Sequence, residues 1–348
     1  MATIRDVAKK AEVSIAAVSR VLKQDASFRV TDDTRRRILR AAQELHYAVP
    51  GARASEPIQI GCVLALTVGK YSDPFFTGIL AAAEEECSRC NAVITAVRNY
   101  SELSDPQVLA DLCGLGLSGI ILMEELPPEI LQPILDSTTH VVAVVDQPEY
   151  RFDGVGFDHA QANWQVMDCL IARGYRRIAH IGGSSPGQPL QQSVRMMVYC
   201  ECLRRSGIPY EEALVKDCNW DLDLCARQAR ELLSMENPPD AIFAGSDSLA
   251  SAILGTVYAM GLRCPEDIGV IGFNNIPLSA HMAPPLTTVN IPEHEIGVAI
   301  VRLLMEQVNG VHAYQVPRKI LFPTELVLRG SLRPAPASLA PVPPILSV

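Results

Sequence analysis

No apolar run in these 348 residues approaches the roughly 18 needed to cross a bilayer. The chain opens Met1-Ala2-Thr3-Ile4-Arg5-Asp6 and lacks a basic stretch followed by an apolar one, so neither a membrane span nor a secretory leader is expected. Cysteine is not scarce, at ten residues, but it lacks the dense spacing of a disulfide framework; reduced thiols and a cytoplasmic location are the expectation. Metal spacing is missing too. Cys87-Ser88-Arg89-Cys90 has no second pair and reads as one face of a helix, and His180 and His281 have no partner at ligand spacing. Ser184-Ser185 follows a glycine pair without the G-x-S-x-G elbow. Gly114-Leu115-Gly116-Leu117-Ser118-Gly119 spells a dinucleotide fingerprint, but it precedes a strand instead of joining a strand to a helix, so the phosphate cradle fails. With no acid, base or nucleophile constellation, neither an enzyme nor a metal or cofactor is expected.

Positive charge is also lacking overall, at a net −9, yet the distribution is uneven. Residues 1–50 hold ten Lys and Arg against six Asp and Glu, a net +4 that leaves −13 for the remainder. A small basic head on an acidic body predicts an anionic partner at one end only. The composition, 48 % hydrophobic and 20 % charged, is that of a globular protein with a full core, and the length predicts two or three domains.

Three short helices are legible in residues 1–48. Thr3 caps the first, with Asp6 reaching back to it, and Val7, Ala8 and Ala11 form its inner face. After a break at Glu12-Val13, Ser14 caps a second helix, Ile15 to Leu22, which buries Val18, Val21 and Leu22. Thr31 caps a third, with Ile38, Leu39, Ala42 and Leu45 on one face. Pro50, Gly51 and Pro57 mark a linker over 49–57. From residue 58 to 332, strand-like runs at Ile58–Leu66, Ala92–Val97, Gly119–Met123, Val141–Val145, Arg177–Ile181, Ala241–Ala244 and Ile268–Phe273 alternate with helical stretches. Such alternation predicts an α/β fold with doubly wound parallel sheets, and the length predicts two lobes. The Pro- and Ala-rich tail over 333–348 reads as disordered.

Two helices joined by a tight turn can set the second into the major groove, provided its first turn offers side chains not needed for packing. Ile15 and Ala16 lie opposite Val18 and Leu22 and meet that condition, although they could equally be ordinary helix residues. The register Thr3-Ile4-Arg5-Asp6-Val7-Ala8, Ala11-Glu12-Val13-Ser14, Ala17-Val18-Ser19-Arg20-Val21-Leu22, then Thr34-Arg35-Arg36-Arg37-Ile38 and Ala41-Ala42-Gln43-Glu44-Leu45-His46-Tyr47, resembles the helix-turn-helix head of the lactose-repressor/galactose-repressor family. The resemblance implies a ligand-responsive repressor of sugar-utilisation genes that binds double-stranded operator DNA as a homodimer. It implies that Ile15, Ala16 and Arg20 face bases while Thr3, Ser14 and Ser19 bond phosphates. Arg20 has the fork for guanine, a phosphate contact being the alternative. Arg53 and Ala54 are the linker's candidate DNA contacts. Pro57 stands where the family's hinge has Leu, and Gly51 and Pro57 disfavour the hinge helix. Five prolines in the tail forbid the family's tetramerising helix.

Residues 58–332 resemble the two-lobed periplasmic sugar-binding-protein fold. This implies a small-molecule effector, a sugar or a relative of one, at the carboxyl ends of strands. Asp73-Pro74-Phe75-Phe76, Asp146, Arg195, Trp220, Ser246-Asp247 and Asn274-Asn275 fall at such ends or in the loops beyond them. Arg195, Asp146, Ser246 and Asn274 offer polar groups to hydroxyls, and Trp220 or Phe75 an aromatic face. The alternatives are core packing for Trp220, a helix cap for Asp146, an ion pair for Arg195 and an N-cap for Asp247. Where the family has Asp at or beside 274–275, both residues here are amides. Phe273-Asn274-Asn275-Ile276-Pro277 and the turn Gln24–Val30 look most like the galactoside-responsive branch. A transport binding protein and a sugar-metabolising enzyme are the competing classes. The basic head and the absent leader argue against the first, and the missing catalytic groups against the second.

Overall fold

The computed structural model describes residues 2–22, 28–45, 47, 56–64, 74–123, 126–144, 152–183, 189–311 and 316–335. Arg53, Ala54, Asp73 and Asp146, most of the linker and all but three residues of the tail lie outside them. Two compact units partition the chain, one holding residues 1–58 with 309–313 and the other the rest.

The first unit is built on α1 (Ile4–Ala11), α2 (Ile15–Leu22) and α3 (Asp32–Glu44). The Asp6 carboxylate accepts from the Thr3 N–H at 2.8 Å and the Thr3 hydroxyl at 2.7 Å, which holds the Asp6 carboxyl below its ordinary range. Glu12 ends α1 in a left-handed conformation (φ 56°), a non-glycine residue at a sharp reversal. Ser14 then accepts from the Ala17 N–H at 3.2 Å, and Thr31 from the Thr34 N–H at 3.3 Å. Val7, Ala8, Ala11, Val18, Val21, Ile38, Ala41 and Ala42 close a common core, with Leu22 and Leu45 packed against it. The expectation for α3 needs one correction: Leu39 is exposed and Ala41 takes the inner place. Residues 38, 41, 42 and 45 follow the helical stripe that 39 leaves.

The second unit contains, in chain order, β1 (Ile58–Leu64), α4 (Pro74–Arg89), β2 (Ala92–Asn99), α5 (Tyr100–Leu103), α6 (Pro106–Gly114), β3 (Gly119–Leu122), α7 (Pro128–Ser137), β4 (Val141–Val144) and β5 (Asp153–Phe157). It continues with α8 (His159–Ala172), β6 (Ile178–Gly182), α9 (Val194–Arg205), β7 (Val215–Asp217), α10 (Leu222–Leu233), β8 (Ala241–Ala244), α11 (Asp247–Ala259), β9 (Gly269–Ile271), β10 (Thr288–Asn290), α12 (Glu293–Val308), β11 (Lys319–Phe322) and β12 (Glu325–Val327). One lobe has the sheet β11-β5-β4-β3-β1-β2 and the other β7-β6-β8-β9, while β10 and β12 form an antiparallel ribbon. Parallel pairing runs Ile60 to Gly119 between β1 and β3, and Ile178 to Ala241 between β6 and β8. Both sheets are therefore covered on two faces, which is why their strands read as continuous apolar runs. In the first lobe Ile120 and Leu122 pack toward Leu112, Ile130 and Ile134 of α6 and α7, while Gly119 lies under Leu304 of α12.

The chain leaves the first lobe after β5, returns after β10 to build α12 against α4, and leaves again between β11 and β12. Five strands escape sequence reading, β5, β7, β10, β11 and β12. Asp153-Gly154-Val155-Gly156-Phe157 carries two glycines and no β-branched run, and the others are three or four residues long.

At the α4–α12 crossing a Cβ on Gly297 would sit 2.5 Å from the Ile79 carbonyl oxygen and 2.7 Å from the Ala82 Cβ. On an exposed helix a Gly→Ala change stabilises by about 1 kcal/mol. Here backbone would have to move, and overpacking costs about 1–3 kcal/mol. Gly297→Ala is therefore expected to lower the urea midpoint; a raised midpoint would show that the two helices slide apart freely.

Candidate functional site

On α2 the inner positions Val18 and Val21 are buried, and this turns the other face outward. Ser14, Ile15, Ala16 and Arg20 are exposed, Ile15 at 45 % despite its apolar side chain, and Ser19 is partly exposed. The Arg20 guanidinium lies over the Phe28 ring, 5.2 Å from its centroid. Basic side chains around it divide into two sets. Lys10 and Arg40 bind Glu44 at 2.7 and 2.9 Å, and Arg37 lies 3.4 Å from Asp33 and 3.8 Å from Glu12. Arg5, Lys9, Arg20, Arg29 and Arg35 have no carboxylate partner among the described residues. These cations give the head its usable positive field.

The second site lies at the carboxyl edge of the β7-β6-β8-β9 sheet. Arg195, in the first turn of α9, is enclosed by aromatic rings: its guanidinium is 4.8 Å from the centroid of Phe273, 5.7 Å from Trp220 and 5.8 Å from Phe243. Its Nε is sealed from solvent without a hydrogen-bond partner, and burial pushes the guanidinium down to about 10. Glycine makes this packing possible. A Cβ on Gly183 would lie 2.5 Å from the Trp220 ring, and one on Gly245 3.1 Å from that ring and 3.3 Å from Arg195 Nη1. Trp220 itself is left-handed (φ 58°), as is Asn219 before it (φ 49°). Such strain costs on the order of 1–3 kcal/mol and is kept where the surroundings fix the residue. Beneath Arg195, His180 of β6 is fully buried; its Nδ1 meets the Phe243 carbonyl oxygen at 3.0 Å and its Nε2 has no partner. Phe273 also touches the first lobe, its ring 6.1 Å from that of Phe157 at the end of β5.

Beyond β9, Asn274 (φ 109°) and Asn275 (φ 59°) turn the chain with unlike side chains. The Asn275 amide is committed: it donates to Asn290 Oδ1 at 2.8 Å and accepts from Arg329 Nη2 at 2.7 Å. The Asn274 side chain makes no hydrogen bond among the described residues, while its N–H donates to the Val289 carbonyl at 3.0 Å. Asp247 ties this turn to the ribbon between the lobes, accepting from the Thr288 hydroxyl at 2.6 Å and the Ile276 N–H at 2.9 Å. Burial pushes its carboxyl up to about 6. Among the described residues no group of three or more His, Cys, Asp or Glu is placed to hold a metal ion.

Residues 3–49 match the lacI family of bacterial regulatory proteins, and residues 167–332 match the periplasmic binding protein-like domain. The transcriptional repressor CytR of Escherichia coli is 30 % identical over 339 residues, spanning 96 % of this chain and 97 % of that one. The chain belongs to the lacI family. The repressor MelR of Bacillus subtilis is 29 % identical over 346 residues, covering 95 % of this chain and 97 % of its own. Among solved structures, a complex of the transcriptional regulator CelR with cellobiose superposes with a TM-score of 0.70 at 28 % identity, over 95 % of this chain and all of the other. A lac repressor dimer bound to operator and an anti-inducer shares the fold, with a TM-score of 0.68 at 22 % identity over 95 % of this chain and 99 % of that one. The protein is accordingly a helix-turn-helix DNA-binding transcriptional regulator and not an enzyme.

For a lacI-family chain the structure sorts the residues singled out from sequence. Arg195 and Trp220 come together, and Arg195 makes no ion pair among the described residues. Asn274 stands at the same sheet edge. Ser246 is the N-cap of α11, accepting from the Leu249 N–H at 3.2 Å, so the cap expected of Asp247 belongs to its neighbour. Phe75 is 7 % exposed in the first turn of α4, edge-on to Phe76 at 5.2 Å, and stands within the first-lobe core. Phe243, Phe273, Gly183 and Gly245 were not anticipated. Phe273 carried a usable signal, an aromatic residue at a strand end immediately before two amides.

His180 gives a pH prediction. Burial, with the Arg195 charge second, pushes its imidazole down from about 6.5 to about 3. The unfolded chain takes up this proton below pH 6.5 and the native one does not. The stability His180 contributes is thus complete above pH 6.5 and is lost as pH falls toward 3, by about 1.4 kcal/mol per pH unit. Asp247, raised, works oppositely and favours the folded state as pH falls from about 6. Comparing urea midpoints of wild type and His180→Gln isolates the histidine: the variant should lose stability less steeply from pH 6.5 to 4.5. Parallel curves would mean that His180 is protonated in the native protein.

Proposed function

We propose that this lacI-family protein is a cytoplasmic repressor of sugar-utilisation genes that binds a near-palindromic operator as a homodimer and changes its grip when a sugar or related effector enters the second unit. The division 1–48 for the head, 49–57 for the linker, 58–332 for the effector and dimerisation unit and 333–348 for the tail belongs to this reading. The exposed outer face of α2 carries it most directly. A helix that leaves Ile15 in water next to Ala16 and an unpaired arginine is arranged for a surface other than its own core.

In this reading Ile15 and Ala16 pack on thymine methyls and Arg20 forms the polar base contact. Stacking on Phe28 occupies one face of the guanidinium and leaves its in-plane donors available. Ser14 uses its oxygen lone pair as a cap and retains its proton for a phosphate, and Ser19 adds a second such contact. Thr3 is the weaker phosphate candidate, since its hydroxyl already donates to Asp6. Arg53 and Ala54 would serve the linker's contacts. Arg195, Trp220 and Asn274 are the effector contacts that the geometry supports best, with Ser246, Phe75 and Asp146 in the surrounding shell. The cellobiose of the CelR complex supports a sugar as the effector class.

The test is binding to a duplex selected from a randomised pool, set beside an unselected duplex, across a salt series. Arg20→Ala should weaken the selected duplex by about 1–3 kcal/mol and the unselected one far less. Equal losses on both would reduce Arg20 to a phosphate contact. Failure of the wild type to select any duplex at low salt would sink the proposal itself.

A further inference from the structure

Two cysteines bracket the turn that carries Trp220. Cys218 follows β7, and its N–H extends the sheet by donating to the Gly182 carbonyl at 2.7 Å. Cys225 stands in the first turn of α10, its N–H donating to the Asp221 carbonyl at 2.9 Å. Asp221 closes the turn between them, its N–H donating to the Cys218 carbonyl at 2.8 Å. Both cysteines are fully buried in one apolar cluster, and Trp220 packs against that cluster. Their thiols are hydrogen-bonded to each other, the Cys225 S–H donating to the Cys218 sulfur, and the Trp220 N–H donates to the same sulfur. The bond from Cys225 holds the Cys218 thiol below its ordinary range, and the same contact, with burial, pushes the Cys225 thiol up. A buried cysteine is ordinarily a small apolar filler. This pair is different: thiols in hydrogen-bond contact come close to the proximity that a disulfide demands, and one of the sulfurs anchors the backbone of a left-handed residue, Trp220 at φ 58°.

We propose that Cys218 and Cys225 form a redox modification site, in which hydrogen peroxide converts the dithiol to a reversible disulfide and the loss of the Cys218 acceptor reseats Trp220. The Cys218 thiolate attacks one peroxide oxygen, the O–O bond breaks and hydroxide leaves, giving a sulfenic acid; the proton that Cys218 gave up neutralises the hydroxide. The Cys225 sulfur then attacks the Cys218 sulfur, the S–O bond breaks, and the oxygen departs with the Cys225 proton as water. Two thiols and one peroxide become one disulfide and two waters, the sulfurs losing the electron pair that the peroxide gains. A dithiol reductant reverses the step by exchange. Both sulfurs are sealed, so oxidation proceeds through local opening of the turn, whose outer residues Asp217, Asn219 and Asp221 are exposed. It is therefore slower than oxidation of the exposed Cys200. That the seat of Trp220 bears on effector affinity rests on the reading of this edge given above; the disulfide does not.

Trypsin releases Asp217–Arg227, a peptide that holds Cys218 and Cys225 and no other cysteine. When the full-length protein is treated with hydrogen peroxide and its remaining thiols are alkylated after denaturation, this peptide should be unalkylated and lighter by two hydrogens. Dithiothreitol should restore both alkylation sites. In Trp164→Phe, where Trp220 is the one tryptophan left, peroxide should increase the acrylamide quenching of its emission, and dithiothreitol should reverse the increase. Cys225→Ser should abolish both responses and leave Cys218 as a sulfenic acid that dimedone traps. A peptide that keeps both thiols while Cys200 is oxidised overturns the inference, as does one that advances to sulfinic acid without a disulfide. Unchanged quenching over a formed disulfide overturns it too. The wild-type peptide decides the point even where the serine variant does not fold. No readout uses DNA or an effector, so failure here leaves the regulator reading standing, and a failed operator selection leaves the disulfide standing.

Discussion

The carboxyl edge of the β7-β6-β8-β9 sheet is organised around a buried cation that has no carboxylate partner among the described residues. Arg195 sits where three strand ends meet, and each neighbour is shaped by having to admit it. Gly183 and Gly245 must lack side chains so that the Trp220 ring and, at Gly245, the guanidinium can approach the sheet edge. Trp220 must adopt a left-handed backbone to deliver that ring. His180 must stay neutral, because a second positive charge in the same buried space would add repulsion to desolvation. Phe273 closes the remaining side, and the two left-handed residues after it redirect the chain into the Asp247 and Asn275 network. Arg195 thus accounts for a group of glycines, strained residues and aromatic rings that are scattered along the sequence.

How much of this could be read in advance depended on whether the signal was local. The three caps of the head were legible because each is closed within three residues: the Ser14 and Thr31 hydroxyl oxygens accept from the N–H groups of Ala17 and Thr34, and the Asp6 carboxylate accepts from the Thr3 N–H. The seven apolar strand runs were legible because both sheets are covered on two faces. Leu39 and Ala41 were exchanged because one residue of helical phase decides which of two apolar neighbours faces inward, and a 13-residue helix rich in arginine leaves that phase weakly marked. β5 went unseen because it is stabilised by its place in the sheet and not by propensity: Asp153 is buried there through Arg318, whose Nη2 lies 3.0 Å away. Arg195 and Trp220 were reachable through resemblance. The cage around Arg195 was not, since Phe243 and Phe273 belong to different strands and only the sheet brings them together.

The head makes a similar point about charge. Counting residues 1–50 gives a modest positive excess, but the count treats every cation alike. Glu44 draws in Lys10 and Arg40, and Asp33 and Glu12 draw in Arg37, so much of the α3 charge is internally balanced. Exposed pairs of this kind contribute little to stability. They do determine which cations stay free to meet a phosphate. Arg20 has no carboxylate partner among the described residues, and its stacking on Phe28 limits the rotamers it loses on docking, which is where preorganisation lowers the cost of association.

These two regions can influence one another only through a conformational equilibrium that both bias. The edge proposed above for the effector is tied to both lobes. Phe273, one wall of the Arg195 cage, packs against Phe157 of the other lobe. Asn275 and Asp247, at the same turn, are bonded to Asn290 and Thr288 in the ribbon through which the chain passes between lobes. The Phe157–Phe273 contact and the β10–β12 ribbon are thus places where a change in lobe arrangement would be felt at the Arg195 cage. On the proposed reading, a group bound at Arg195 has an energy that depends on lobe arrangement, because Phe273 beside it packs against Phe157 of the opposite lobe. By reciprocity, whatever the DNA-bound arrangement does to that wall must change effector affinity by the same factor as the effector changes DNA affinity.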